Sequence, residues 1–78
     1  MMPTLTVLVH GGLECHAEHR GPLVLEVAPG SSLLDIQDRL GIPRGDVGLF
    51  VVDGELRSEG YVPPDGARVD LYPMFGGG

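Results

Sequence analysis

One short amphipathic segment, flanked by alternating stretches, constrains most of what this chain can fold into. Residues 32–40 carry apolar side chains at i, i+3 and i+7, the spacing of one helix face. Ser32 and Asp35 form a capping-box pattern at its start, and Gly41 suits the position after its end. The apolar stripe is Leu33, Ile36 and Leu40, widened by Leu34. The polar side chains, expected on the opposite face, are Asp35, Gln37, Asp38 and Arg39. Such a helix must lie across a sheet.

Alternation of period two predicts the strands of that sheet. The five predicted strands are Thr4–Val9, residues 23–28, Val47–Val52, Glu55–Arg57 and residues 67–72. Asp53-Gly54 gives a tight hairpin turn between the third and fourth strands. The core-facing side chains are expected to be Leu5, Val7, Val9, Leu23, Leu25, Val27, Val69 and Leu71. The order predicts an α+β fold, a mixed sheet with one helix packed across it. We expect this domain at residues 1–73 and a glycine-rich C-terminal tail at residues 74–78.

Composition limits the classes of function. The chain has 78 residues and a net charge of −6, and its five basic residues are all arginine. This balance argues against nucleic acid binding, which relies on phosphate neutralisation, and suits a partner with a basic surface. Without lysine, only the amine of Met1 could accept an acyl group. No apolar run approaches a membrane span and no signal segment is evident, so we expect a cytoplasmic protein with no membrane partner.

The loop between the first two strands holds a cluster of potential metal ligands. It contains His10, Cys15, His16 and His19. Imidazole and thiolate suit zinc or copper, but this spacing fits no familiar finger and no second cysteine is present. We therefore expect a polar loop that binds no metal.

The last residues form an unusual tail. Three glycines, Gly76 to Gly78, follow Met74 and Phe75. Glycines add no packing and are costly to order, but they let a backbone enter a slot too narrow for a Cβ. The alternative interpretation is an ordinary frayed terminus.

The second half of the chain resembles a known family. Residues 51–56 (VVDGEL) and 64–73 (PDGARVDLYP), with the terminal glycines, resemble the MoaD/ThiS family of ubiquitin-like sulfur carriers. Asp53 and Ala67 stand where many members have Asn and a second Asp. Residues 53–73 also resemble the ubiquitin-like domain fused to Mut7-C proteins, which need not end in glycines. The resemblance implies the β-grasp fold.

The resemblance also implies a mechanism. A MoeB/ThiF-like adenylyltransferase would use ATP with magnesium to convert the Gly78 carboxylate to an acyl adenylate. A persulfide or sulfide donor would then give a thiocarboxylate, which passes sulfur to a MoaE-like or thiazole-synthase-like acceptor in molybdopterin, tungsten cofactor or thiamin biosynthesis. The chain would be a carrier rather than an enzyme and would bind no cofactor itself. The alternatives are a protein modifier conjugated through Gly78 and a non-catalytic interaction domain.

A docking surface is expected beside this tail. If Phe50 and Val52 point inward, Leu49 and Val51 point outward, on a face shared with Tyr72 and Leu8. Exposed apolar patches usually mark interaction sites. The opposite register would make these residues core. The predicted partner-binding residues are Leu49, Val51, Tyr72, Met74, Phe75, Gly76 and Gly77.

Overall fold

The computed structural model describes residues 1–11 and 22–74. Its elements are β1 (Thr4–Val9), β2 (Leu23–Glu26), α1 (Leu33–Arg39), β3 (Val47–Val52), β4 (Glu55–Arg57) and β5 (Arg68–Pro73). Their order is the predicted one. The bounds differ slightly, because β2 ends two residues earlier than predicted and β5 begins and ends one residue later.

The strands described here form one mixed sheet in the order β2-β1-β5-β3-β4. β1 pairs antiparallel with β2 and parallel with β5, and β3 pairs antiparallel with β5 and β4. The last strand therefore lies in the middle of the sheet, between the first and third. This position brings the chain that follows β5 alongside the ends of both neighbouring strands.

The Asp53-Gly54 turn has the geometry predicted for a two-residue hairpin. Asp53 has φ 50° and Gly54 has φ 83°. Positive φ at both positions is typical of the type I′ turn, whose twist matches that of the flanking strands. The Asp53 side chain also accepts a hydrogen bond from the backbone N–H of Arg68 at 2.9 Å. The turn thereby ties β3 to the start of β5 as well as to β4.

The helix begins and ends where its capping residues predict. Ser32 and Asp35 exchange side chain–backbone hydrogen bonds in a capping box, and Leu40 is the C-cap. Gly41 follows with φ 75°, a left-handed conformation that glycine adopts without strain. Ile36 is 1% exposed, and burial of such a side chain contributes about 1.5–3 kcal/mol.

The prediction that Gln37 is exposed is wrong. Its side chain is 2% exposed. The chain folds back over the end of the helix, and Gln37 Nε2 donates to the backbone oxygen of Pro43 at 2.8 Å, with a longer contact to that of Ile42 at 3.4 Å. These partners permit burial of a polar amide. At the surface of the same turn, Arg44 donates to Asp38 at 2.7 Å, and this hydrogen bond lowers the pKa of the Asp38 carboxyl below its ordinary value.

The core lies between the helix and one face of the sheet. The buried hydrophobic residues are Leu5, Val7, Val27, Leu33, Ile36, Ile42, Val47, Phe50, Val52, Ala67, Val69 and Leu71, with Val9, Leu25, Leu40 and Tyr61 packed against them. The inward alternation predicted for β1, β3 and β5 is therefore confirmed. No helix in residues 1–11 and 22–74 is long and apolar enough to cross a membrane.

Candidate functional site

The register of β3 decides which of its apolar side chains are available to a partner. Phe50 and Val52 are 7% and 3% exposed, whereas Leu49 is 43% exposed and Val51 is half-buried. Alternate residues of a strand point to opposite faces. Leu49 and Val51 therefore lie on the sheet face that the helix does not cover, as predicted.

Cross-strand pairing gathers further apolar residues around these two. Leu49 lies opposite Tyr72 of β5, and Val51 lies opposite Asp70. On the other side, Val51 lies opposite Leu56 of β4. Directly paired residues share a face. We call the apolar surface so formed the outer patch: Leu8, Leu49, Val51, Leu56 and Tyr72.

The sequence prediction missed Leu56, although it is 64% exposed in the outer patch. A two-residue turn at Asp53-Gly54 fixes the register of the hairpin, and it pairs Val51 with Leu56. The signal was therefore present in the turn length.

A carboxylate lies at the centre of the outer patch, but a guanidinium of opposite charge lies beside it. The Asp70 side chain is 13% exposed. Its Oδ1 accepts a hydrogen bond from Arg68 Nε at 3.1 Å, and its Oδ2 lies 3.9 Å from Nε2 of His10. The second distance is too long for a hydrogen bond. Arg68 offsets the charge of Asp70, so the centre of the outer patch is close to neutral.

His10 packs on the outer patch. Its ring stacks on that of Tyr72, with centroids 4.4 Å apart and planes 8° from parallel. Its backbone N–H donates to the oxygen of Leu71 at 2.9 Å, which extends the pairing of β1 with β5. His10 thus has a packing role. The other members of the predicted ligand cluster, Cys15, His16 and His19, lie outside the described residues. Among residues 1–11 and 22–74, no three His, Cys, Asp or Glu side chains are grouped to hold a metal ion.

An open groove of about 510 Å³ borders the outer patch. Leu49 and Leu56 form its apolar wall, and Ser58 and Glu59 form part of its polar side. It lies beyond the end of β4, which pairs with only the last three residues of β3. Its lining combines apolar and polar side chains.

The predicted tail begins where β5 ends. Met74 is 56% exposed, yet its backbone N–H donates to the oxygen of Asp46 at 3.0 Å. The backbone is therefore held for one residue beyond β5. The remaining residues predicted to act in the tail, Phe75, Gly76, Gly77 and Gly78, lie outside the described residues. Tyr72, an outer-patch residue, precedes Met74 by only two positions.

Comparison with known proteins supports the fold. The family model described as Mut7-C ubiquitin matches residues 4–77. The crystal structure of SAMP1 from Haloferax volcanii is 18% identical, covers 96% of this chain and 99% of its own, and superposes with a TM-score of 0.71. Caldiarchaeum subterraneum ubiquitin is 17% identical, covers 100% of both chains and gives a TM-score of 0.68. No curated protein sequence matches the chain. The predicted β-grasp fold is confirmed.

Proposed function

We propose that this chain, which belongs to the Mut7-C ubiquitin family, is a sulfur carrier whose Gly78 carboxylate becomes a thiocarboxylate. The observation that supports this most is the position of the outer patch at the root of the glycine tail. β5 contributes Tyr72 to the outer patch and, two residues later, Met74 begins the tail. A partner that docks on the outer patch would therefore hold the tail close to its own active site.

The proposed chemistry needs a carboxylate and a second protein. A carboxylate is a poor electrophile, so a MoeB/ThiF-like activating enzyme would join it to AMP from magnesium-bound ATP, with release of pyrophosphate. Sulfide would displace AMP and give the thiocarboxylate directly. With a persulfide donor, the outer sulfur would displace AMP and form an acyl disulfide, and a second thiol would attack the donor sulfur of that bond, releasing the thiocarboxylate and leaving a disulfide on the donor. The sequence contains no glycine-rich phosphate loop with a lysine. This chain would act as the substrate of these enzymes, not as an enzyme.

The proposed tail chemistry depends on thin backbone. Glycine at positions 76–78 would let the chain enter a narrow channel that excludes a Cβ. Met74 and Phe75 would lie at the channel mouth. The acceptor would be a MoaE-like or thiazole-synthase-like protein of cofactor biosynthesis. Because ATP-dependent activation and sulfur donors belong to the cell interior, we place the carrier in the cytoplasm.

A second candidate function uses the same activated carboxylate. In a protein modifier, Gly78 would be transferred to an amine of a target protein. The structural likeness to Caldiarchaeum subterraneum ubiquitin supports the modifier as a candidate. The first step, adenylation, would be shared, and only the final nucleophile would differ.

Intact-mass measurement separates the candidates. The carrier is incubated with its activating enzyme, magnesium, ATP and a sulfur donor. We expect wild type to gain the mass difference of one oxygen replaced by sulfur, whereas a chain without Gly78 and a chain with one residue added after it gain nothing, because in-line attack tolerates little displacement. Neither change should alter folding stability.

Three other outcomes would decide against the proposed carrier. Covalent adducts with target proteins, without thiocarboxylate, would establish the modifier. Equal gain of sulfur by the extended chain, without prior trimming, would rule out Gly78 as the reacting residue. Absence of both adenylation and adducts would indicate a non-catalytic interaction domain.

A further inference from the structure

Gly48 allows a close approach between β3 and the root of the tail. A Cβ built on Gly48 would lie 2.8 Å from the backbone oxygen of Pro73 and 2.9 Å from Cα of Met74. Its φ does not lie in the left-handed region, so conformation does not require glycine here. Gly48 also lies at a register shift between β3 and β5. The backbone of Pro73 and Met74 occupies the space that a side chain at position 48 would need.

Gly11, which follows β1, lies equally close to the end of β5 from its other side. A Cβ on Gly11 would lie 2.5 Å from Cγ of Pro73 and 2.9 Å from its Cδ. The ring of Pro73 therefore lies against Gly11, just beyond β1. The residue before it, His10, donates its backbone N–H to Leu71. Two glycines thus flank the end of β5 at one level of the sheet, one touching the Pro73 ring and the other the backbone after it.

We propose that Gly11 and Gly48 form a clamp that fixes where and in which direction the C-terminal tail leaves the domain. They would be positioning residues for the activation of Gly78, so the inference rests on the proposed function. The clamp acts with the hydrogen bond from Met74 to Asp46. Together they hold the backbone as an extension of β5 through Met74.

Holding the backbone at Met74 sets the reach of the reactive carboxylate. Four residues follow Met74, and four residues span at most about 14 Å in any conformation. Release of Pro73 and Met74 from the clamp would add two residues that must be ordered each time the tail enters the partner's channel. Ordering backbone is costly, and a small misplacement of reacting groups slows a reaction strongly. The clamp pre-orders the part of the tail nearest the outer patch.

Gly48→Ala tests the clamp, with Gly60→Ala as a matched control. Gly60 has no atom within 4 Å of a built Cβ and no left-handed φ. We expect Gly48→Ala to speed amide exchange at Met74 by about tenfold or more, while the amide of His10 stays protected. We expect kcat/KM for adenylation to fall by about tenfold or more. Gly60→Ala should match wild type in both. Assays are run where every variant is folded.

A double-mutant cycle tests the contact between Gly11 and Pro73. It also keeps the clamp testable if Gly48→Ala does not fold. Gly11 has φ 66°, so Gly11→Ala is strained in any background. The strain cancels when Gly11→Ala is compared between the wild-type and Pro73→Ala backgrounds, which differ in the ring that meets the new Cβ. We expect Gly11→Ala to reduce kcat/KM for adenylation by a several-fold smaller factor in the Pro73→Ala background than in the wild-type background. Equal losses in both backgrounds would overturn this contact.

The remaining outcomes are also decisive. Unchanged Met74 exchange in folded Gly48→Ala, or faster exchange with unchanged kcat/KM, would overturn the clamp as a positioning device. If wild type is not adenylated at all, the proposed function fails instead. Amide exchange at Met74, measured in Gly48→Ala and in the variants of the double-mutant cycle, then decides whether Gly11 and Gly48 hold the backbone at the end of β5.

Discussion

Substitution of Val51 by asparagine tests whether the outer patch binds the activating enzyme. Val51 and Phe50 are neighbours in β3 that face opposite sides of the sheet. Val51→Asn removes an apolar side chain from the outer patch, whereas Phe50→Ala removes one from the core. The pair separates loss of binding from loss of folding within a single strand.

The structure sets the expected cost to stability. Val51 is half-buried, so we expect asparagine to lower the free energy of unfolding by about 1–2 kcal/mol, from lost burial and strand preference. For a domain of this size, this corresponds to a fall of roughly 5–15 °C in Tm. Phe50 is 7% exposed, and Phe50→Ala should cost about 3–5 kcal/mol, enough to unfold a marginally stable domain near room temperature or slightly above it.

Asparagine is a better choice than aspartate at this position. Val51 pairs directly with Asp70. Two carboxylates directly across a sheet repel each other, at a cost of about 0.2–1 kcal/mol. Val51→Asp would therefore lower stability for a reason unrelated to docking, and salt would reduce this part of the loss because the site is partly exposed.

Binding should respond more strongly than folding. Completing the burial of Val51 in a complex contributes about 1 kcal/mol, and burial of an unpartnered amide costs about 1–3 kcal/mol. A combined loss of about 2–4 kcal/mol raises Kd roughly 30- to 800-fold. Calorimetric titration with the activating enzyme measures this change. Val24→Asn is the matched control, because Val24 is 69% exposed on the same face but on the distant strand β2.

Three results would refute this reasoning. A Tm loss for Val51→Asn as large as that for Phe50→Ala would show that Val51 belongs to the core. A wild-type Kd for Val51→Asn would show that the enzyme docks elsewhere. A rise in Kd for Val24→Asn equal to that for Val51→Asn would show that the whole face, not the outer patch, responds.

The remaining predictions concern the helix and the histidine loop. Ile36→Ala should lower the free energy of unfolding by about 2–5 kcal/mol, and Leu40→Ala, at a half-buried site, by about 1–3 kcal/mol; chemical denaturation measures both, and a loss below about 0.5 kcal/mol at Ile36 would show that the helix face is assigned wrongly. Elemental analysis of protein purified without an affinity tag should find less than stoichiometric zinc or copper, because the ligand spacing from His10 to His19 fits no familiar metal site. A stoichiometric metal that is lost in His16→Ala would contradict this.

Much of the fold could be predicted because its signals are local. Alternation within β1, β3 and β5, the capping pair at Ser32 and Asp35, and the turn at Asp53-Gly54 each act within a few residues. These signals place the helix and orient β3. They also place Leu49 and Val51 on the uncovered face of the sheet.

The features that could not be predicted depend on contacts between distant parts of the chain. Gln37 is polar, and only the chain folding back at Pro43 gives its amide a partner. Gly48 looks like an ordinary glycine within a strand until the chain at Met74 is seen beside it. The stacking of His10 on Tyr72 likewise joins the ends of two strands 62 positions apart in the sequence. Periodicity contains no information about such approaches.

Charge and apolar surface have separate roles in the proposed docking step. The chain carries a net charge of −6, yet Asp70, the carboxylate within the outer patch, is paired with Arg68. Unpaired charge at the centre of an interface would have to be desolvated on binding, which opposes affinity. Net negative charge on the rest of the surface attracts a basic partner at a distance without that cost, and mainly raises the association rate. In the proposed docking step, the long-range field would therefore bring the partners together, whereas the nearly neutral outer patch would determine how long the tail remains in the partner's channel.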